Sequence, residues 1–352
     1  MSEVSEQHGS VVSSAPGEGR FHVLALSGGG YRGLFTARIL AEIEAHISAP
    51  IATRFDLIAG TSIGGILALA LALEIPAQTM VELFERHGAD IFKTRFSLKG
   101  VLRSQYTQEG LERLLRTDAI FGNKVLGECR HSVIVPAINY TTGQPVMFKT
   151  PHHANFQRDH RHQIVDVALA TSAAPGYFPR HVFNDCQYVD GGLFANAPGL
   201  LAVHEAQRFL GQPRTNLHVV AIGTMSSKFT VDPRRNRAGG TFDWGGISPM
   251  QTPKRLFGLA ISAQETLVHH LLSHRLKAGQ YFHLDDDLTD ERARAVALDV
   301  TDRAATEVLN GAGRERAKIA LGDPAFRALL SYQAPAPKFF YGANSVGGTT
   351  SC

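Results

Sequence analysis

Apolar residues follow two alternating patterns in the first quarter of the chain. Residues 21–27 (FHVLALS) and 55–60 are short apolar runs that end at glycines, so both are predicted as buried strands. Residues 34–47 carry apolar side chains at helical spacing, and residues 63–73 follow the second run; both segments are predicted as helices. Strand, glycine turn and helix, repeated in this order, are typical of a parallel α/β sheet.

The pattern continues to about residue 225 and then changes. The predicted helices are 77–87, 108–116, 164–173 and 198–210, and the predicted strands are 132–140, 145–149, 187–189 and 217–223. Residues 226–248 are rich in Gly, Arg and Asp and are predicted as a loop; two helices, 252–278 and 301–320, flank an acidic segment at 283–290. We divide the chain into a flexible leader (1–20), an α/β core (21–225), a loop and helical extension packed on the core (226–340) and a flexible tail (341–352).

One segment resembles a membrane span in composition. Residues 57–73 carry no charge, between Asp56 and Glu74. Glycine, threonine and serine interrupt the first half of this segment, and its length is at the short limit for crossing a bilayer. A buried strand followed by a buried helix is the preferred interpretation. Residues 1–20 contain no apolar segment of a secretory signal, which predicts a cytoplasmic protein.

Composition narrows the classes of function. Lys and Arg number 35 and Asp and Glu 32, which gives a net charge of +3. This near balance argues against a DNA or RNA polymer as partner, although a local basic patch remains compatible with it. The three cysteines, Cys129, Cys186 and Cys352, form no C-x-x-C pair, which excludes a disulfide scaffold and a cysteine zinc site.

The first candidate for chemistry is the sequence Gly60-Thr61-Ser62-Ile63-Gly64, which fits G-x-S-x-G. It follows a predicted strand and opens a predicted helix, the context in which this motif forms a nucleophile elbow. Gly60 and Gly64 would relieve crowding at the sharp turn and leave Ser62 at its tip. A glycine and serine turn without chemistry is the alternative.

A nucleophilic serine needs a base. None of the 16 histidines occupies an obvious position for one, and His270 and His274 lack the glutamate of an H-E-x-x-H metal site. The alternative base is a carboxylate, and Asp190 is a candidate because Gly191 and Gly192 after it allow a sharp bend. An ordinary Asp-Gly turn explains the same residues.

A third candidate is the loop Gly28-Gly29-Gly30-Tyr31-Arg32-Gly33, between the first strand and the first helix. Consecutive glycines leave backbone N–H groups free to bind a phosphate or the oxyanion of an acyl-transfer intermediate. The loop also matches the G-x-G-x-x-G dinucleotide fingerprint. That interpretation requires an acid at the end of the next strand, where the sequence has Gly60 and Thr61, so an oxidoreductase is disfavoured.

With these three elements in this order, the sequence resembles the patatin-like phospholipase family. The family's G-G-G-x-R-G, G-x-S-x-G and D-G-G motifs match residues 28–33, 60–64 and 190–192, and residues 168–179 and 196–198 are also similar. The resemblance covers about residues 21–225. It implies a three-layer α/β/α sandwich and hydrolysis of lipid acyl esters without a metal or other cofactor.

The resemblance also implies roles for individual residues. Ser62 would be the nucleophile and Asp190 the base of a Ser–Asp dyad without a catalytic histidine. Gly28, Gly29 and Gly30 would supply the N–H groups of the oxyanion hole, and Arg32 would help to fix the loop. The substrate would be the phospholipid membrane surface, which implies peripheral association with the inner membrane.

The arrangement of core and extension is also similar to stand-alone bacterial patatins, including phospholipase effectors of antiphage systems that a cyclic dinucleotide activates. An activated effector of this kind would fit a homo-oligomer. Arg234, Arg235 and Arg237 are candidates for binding phosphate groups, because the planar guanidinium suits that chemistry; a solvated basic loop is the alternative. A constitutive lipase and a patatin-fold binding module remain alternative functions.

Overall fold

One mixed β-sheet organises the computed structural model, which describes residues 19–91, 104, 106–225, 252–286, 296 and 298–345. Eight strands form the sheet in the order β5-β6-β3-β2-β1-β7-β8, with β4 paired to β3. The strands are β1 Phe21–Leu26, β2 Leu57–Gly60, β3 Val133–Asn139, β4 Gln144–Lys149, β5 His181–Phe183, β6 Cys186–Asp190, β7 Leu217–Ile222 and β8 Tyr281–Leu284. Strands β2, β1, β7 and β8 are parallel neighbours, as the predicted strand–turn–helix repeats require.

Helices cover both faces of the sheet. They are α1 Gly33–Ile47, α2 Ile63–Ala72, α3 Ala77–Ile91, α4 Glu109–Leu115, α5 Ile164–Thr171, α6 Gly192–Ala195, α7 Gly199–Arg208, α8 Thr252–Arg275, α9 Arg303–Gly322 and α10 Pro324–Leu330. In β1, Leu24 and Leu26 belong to the larger apolar cluster on one face, whereas Phe21 and Val23 belong to a second cluster on the other face. The predicted three-layer α/β/α fold is therefore confirmed.

The uncharged segment at residues 57–73 is the strand β2 followed by the helix α2, in the interior of the protein. Residues 64–72 are all buried, and α2 packs between the sheet and the neighbouring helices. Within the described part of the chain, no helix is both long enough and apolar enough to cross a membrane.

Strand pairing brings two chain segments together at the centre of the sheet. β2 pairs with the start of β3, at Val133 and Ile134, and runs parallel to it. β6 pairs with the end of β3 and runs antiparallel, with Asp190 opposite Ala137. The carboxyl-terminal ends of β2 and β6 therefore approach each other along β3, and the turn after each strand lies in the same place.

The region beyond residue 225 contributes to the same sheet. The strand β8 is absent from the sequence prediction, which describes this region only as acidic; it pairs in parallel with β7. Helix α9 packs on α1, where Arg38 Nε donates to Asn310 Oδ1 at 2.8 Å. The division at residue 225 stays a prediction, and most of the leader, the loop at 226–248 and most of the tail lie outside the described residues.

Candidate active site

Ser62 lies at the turn between β2 and α2. It has φ 55° and ψ −127°, in the left-handed half of the φ range that serine rarely adopts. Its backbone N–H donates to Thr171 Oγ1 at 3.0 Å, and the backbone O of Ser62 accepts from the N–H of Gly65 in the first turn of α2. A strained conformation of this kind persists when its surroundings fix it, and it is common at functional sites.

Glycines at the turn are required because the backbone segments are in close contact. A Cβ on Gly60 would lie 2.1 Å from the carbonyl oxygen of Gly64, and a Cβ on Gly64 would lie 2.3 Å from that of Leu26. At Gly33, which begins α1, a Cβ would lie 2.5 Å from Ile63 Cγ1. The absence of side chains thus lets β1, β2 and two helix starts meet beneath Ser62.

Asp190, the last residue of β6, faces Ser62. Its Oδ2 accepts a hydrogen bond from Ser62 Oγ at 2.6 Å, and its Oδ1 accepts one from the N–H of Gly192 at 2.7 Å. The residue is only 1% exposed. Burial raises the pKa of the Asp190 carboxyl to about 7, although both hydrogen bonds favour the ionised form. The adjacent Gly191 has no room for a side chain, since its Cβ would lie 2.4 Å from the Pro136 carbonyl oxygen.

This pair has the geometry of a nucleophile with its base. A carboxylate with a pKa near neutrality accepts a proton from an alcohol better than one with the ordinary value near 3.8. Among the described residues that line the cavity at Ser62 there is no histidine. The arrangement can therefore support nucleophilic attack by Ser62 with Asp190 as the proton acceptor.

The glycine loop after β1 lies directly beside Ser62. The N–H of Gly28 donates to the backbone O of Asn196 at 3.1 Å, so it is not free to bind an oxyanion, contrary to the sequence-based prediction for this residue. The Gly28 carbonyl in turn accepts from Asn196 Nδ2 and Thr224 Oγ1, both at 3.0 Å. The N–H groups of Gly29 and Gly30 have no acceptor in the part of the chain that the structure describes, and both residues line the cavity with Ser62.

Arg32 is buried and directed toward the segment after β7. Its Nη1 donates to the backbone O of Met225 at 3.1 Å. Burial lowers the pKa of the guanidinium, an effect that the nearby carboxylates of Glu265 and Asp285 oppose. Asp285 Oδ1 also accepts from the N–H of Met225 at 2.8 Å, so the glycine loop, β7 and the segment after β8 are connected.

A predominantly apolar cavity opens at Ser62. Side chains from α2, α3, α4, α8 and the segment at residue 298 surround the dyad and leave Ser62 Oγ at one wall. Its apolar lining residues are Ile63, Ile66, Phe84, Ile91, Leu111, Ala174, Phe178, Phe257, Ile261 and Leu298. Such a surface suits a hydrocarbon chain better than a polar ligand.

Comparison with known proteins identifies the family. The profile of the patatin-like phospholipase family matches residues 24–203. A Pseudomonas aeruginosa protein named cGAMP-activated phospholipase is 44% identical over 338 residues, which is 94% of this chain and 98% of that protein. The chain belongs to the patatin-like phospholipase family. The resemblance derived from the three motifs is thereby confirmed.

Two further relatives of this patatin-like protein carry the same name, cGAMP-activated phospholipase. One, from Escherichia coli, is 33% identical, and the match covers 87% of this chain and 91% of that protein. The other, from Vibrio cholerae, is 32% identical, and the match covers 84% of this chain and 90% of that protein. The similarity therefore extends well beyond the residues that the family profile matches.

Two residues of this patatin-like site had no role in the sequence analysis. Asn196 is buried and joins the glycine loop to helix α8, because its Nδ2 also donates to Glu265 Oε1 at 2.6 Å. Thr171 accepts from the N–H of Ser62 and donates through Oγ1 to the Pro136 carbonyl at 2.7 Å. Both residues lie within the stretches that resemble the family, 168–179 and 196–198, but that resemblance does not indicate their hydrogen-bond partners.

Two other groups of residues remain to be placed in this patatin-like protein, the arginines proposed for phosphate and the histidine pair. Arg234, Arg235 and Arg237 lie outside the described residues. His270 and His274 are neighbours on α8, with ring centroids 4.2 Å apart. Among the residues that the structure describes, no three His, Cys, Asp or Glu side chains are grouped so that they could hold a metal ion.

Proposed function

We propose that the protein is a phospholipase that cleaves acyl esters of membrane glycerophospholipids with a Ser62–Asp190 dyad. The observation that carries the proposal is the 2.6 Å hydrogen bond between Ser62 Oγ and the buried Asp190, at the wall of an apolar cavity. The names of the relatives support the same chemistry.

The reaction proceeds in two halves. Ser62 Oγ attacks the ester carbonyl while its proton passes to Asp190 Oδ2, and the N–H groups of Gly29 and Gly30 stabilise the oxyanion of the tetrahedral intermediate. Collapse of the intermediate breaks the ester bond, and the alcohol of the lyso-lipid leaves with the proton from Asp190. Asp190 then takes a proton from water while the water oxygen attacks the acyl-enzyme carbonyl. Collapse of the second tetrahedral intermediate breaks the bond to Ser62 Oγ, which regains the proton from Asp190, and the fatty acid leaves.

We propose regulation by a cyclic dinucleotide, since three relatives are named as cGAMP-activated. The basic residues Arg234, Arg235 and Arg237 remain candidates for its phosphate groups. Peripheral association with the inner membrane, a homo-oligomeric state and a role in antiviral defence belong to the same proposal.

Release of fatty acid from mixed phospholipid vesicles, with and without a panel of cyclic dinucleotides, tests both parts. Ser62→Ala should abolish release while the protein stays folded. Ser132→Ala, a matched change at a buried serine that does not line the cavity, should keep most of the activity. Equal activity of the two variants would refute the nucleophile. If the wild type binds vesicles without releasing fatty acid, the patatin-fold binding module is favoured. Full activity without any nucleotide would refute regulation by a cyclic dinucleotide but retain the hydrolase.

A further inference from the structure

The N–H groups of Gly29 and Gly30, which have no acceptor among the described residues, lie between two N–H groups that donate to carbonyls elsewhere in the chain. On one side, the N–H of Gly28 donates to the Asn196 carbonyl at 3.1 Å. On the other side, the N–H of Tyr31 donates to the Leu298 carbonyl at 2.9 Å. The directions of the Gly29 and Gly30 N–H groups therefore depend on both external carbonyls.

The Leu298 carbonyl belongs to a segment that we name the C-terminal strap, residues 298–302. It lies so close to the loop that a Cβ on Gly30 would be 2.4 Å from the Leu298 oxygen. Gly30 has φ 58°, a conformation that glycine adopts without strain. The Leu298 side chain lines the cavity at Ser62. Through Leu298, the strap thus contacts both the glycine loop and the cavity at Ser62.

Asp299, the next residue of the strap, is bonded to a tyrosine that packs behind the cavity wall. Its Oδ2 accepts a hydrogen bond from Tyr106 Oη at 2.9 Å. Tyr106 is 3% exposed, and its own N–H donates to the Tyr177 carbonyl at 2.9 Å. The Tyr106 ring also lies 5.7 Å from that of Phe178, measured between centroids. A buried and well-packed tyrosine therefore determines where the first part of the strap lies.

The other end of the strap is fixed at helix α9. Asp302 is the N-cap of α9, and its Oδ1 accepts from the N–H of Ala305 at 2.8 Å. One turn into this helix, Thr306 Oγ1 lies 2.7 Å from Tyr31 Oη. Tyr31 consequently contacts the strap through its N–H and α9 through its hydroxyl, so the strap and the glycine loop form one connected unit.

We propose that Tyr106 and Asp299 are positioning residues that hold the C-terminal strap so that Leu298 orients the Gly29 and Gly30 N–H groups toward the oxyanion. The inference rests on the proposed hydrolase function. It assigns the region beyond residue 225 an indirect part in transition-state stabilisation, because displacement of the strap would turn both donors. Misplacement by about 1 Å can cost a hundredfold in rate.

The proposal predicts an effect on kcat that is independent of the acyl chain. Tyr106→Phe and Asp299→Ala each remove the hydrogen bond, and we expect each to lower kcat about tenfold for butanoyl and palmitoyl 4-nitrophenyl esters alike, with KM changed less than about twofold. The double variant should lose no more than about twofold beyond either single one, since both remove the same contact. If Tyr106 served only to support the lining residues Tyr177 and Phe178, the loss would lie in KM and would grow with the length of the acyl chain.

Tyr332→Phe is the matched control. Tyr332 Oη bonds Asp56 at 3.0 Å, the same chemistry at a similar distance, next to the amino-terminal start of β2 and so at the opposite end of that strand from Ser62. This variant should change kcat less than about twofold. Thermal unfolding verifies that each variant folds. If Tyr106→Phe does not fold, the variant Asp299→Ala, at a partly exposed residue, tests the proposal.

Two outcomes separate the inference from the function on which it rests. In the first outcome, the wild type is active, but Tyr106→Phe and Asp299→Ala lower kcat no more than the control Tyr332→Phe does. This result refutes the positioning role and leaves the hydrolase function intact. In the second outcome, the wild type hydrolyses neither ester, with or without cyclic dinucleotide, and its Ser62 does not react with a fluorophosphonate probe. This result refutes the hydrolase function and, with it, the inference.

Discussion

Replacing Asp190 with asparagine should stabilise the protein while it removes the activity. In the folded protein the pKa of Asp190 is about 7, compared with an ordinary value near 3.8. The unfolded chain therefore releases this proton at lower pH than the folded one. The contribution of protonated Asp190 to the free energy of unfolding is therefore fully present below pH 3.8. It is lost as the pH rises toward 7, because the unfolded chain ionises first. Asparagine has the same shape, can accept from Gly192 and carries no charge.

The magnitude follows from the two pKa values. Each unit of difference corresponds to about 1.4 kcal/mol, so the penalty for the ionised carboxylate approaches about 4 kcal/mol at pH 8. At pH 5 the folded protein keeps the proton and the penalty is about 2 kcal/mol, arising from ionisation of the unfolded chain alone. The stability of Asp190→Asn relative to the wild type should therefore increase by about 2 to 3 kcal/mol between pH 5 and pH 8.

Urea unfolding of both proteins, followed by circular dichroism at several pH values, measures this difference. Asp90→Asn, which removes a carboxylate whose side chain is 74% exposed, is the control and should change stability by less than about 0.5 kcal/mol at every pH. Fatty-acid release by Asp190→Asn should fall at least about a hundredfold, as expected for loss of a general base. A difference in stability that does not vary with pH, or a variant less stable than the wild type at pH 8, would refute the reasoning.

Three further predictions concern the same site. Because only ionised Asp190 accepts the serine proton, kcat/KM measured against pH should rise through an apparent pKa near 7; a limb near pH 4 would contradict this. Thr171→Val should lower kcat about tenfold by releasing the N–H of Ser62, with a smaller effect on KM, and kcat equal to that of the wild type would exclude this role. Gly64→Ala should destabilise the protein by more than about 2 kcal/mol in chemical denaturation, because its Cβ would lie 2.3 Å from the Leu26 carbonyl oxygen; a change below about 0.5 kcal/mol would show that the backbone can move.

The positions of Ser62 and Asp190 illustrate what the sequence can predict. Each follows a strand and is next to glycine, and these local signals sufficed to place both side chains at turns. Their contact depends on the pairing of β2 and β6 with β3, for which the family resemblance, and no local pattern, supplied the expectation. The pKa of Asp190 depends on burial by residues distant in the sequence, so only the structure could give its direction.

Gly28 and β8 show where local patterns fail. The glycine motif predicts free N–H groups, but the acceptor for Gly28 is Asn196, far along the chain. The four residues Tyr281–Leu284 are too short an apolar run to identify as a strand, since such runs occur equally in helices. Their strand conformation results from pairing with β7, a long-range contact that propensity does not record.

The pairing of β8 with β7 also determines which fragments of this protein can be prepared. A fragment that ends at residue 225 would leave Val219–Ile222 of β7 as an unpaired edge with free backbone groups. Removal of α8 would at the same time expose the apolar surface that Val268 and Leu272 cover. Edges of this kind promote association between sheets. Shortened versions that keep every catalytic motif should therefore aggregate on expression, and soluble variants should retain the chain at least through α9.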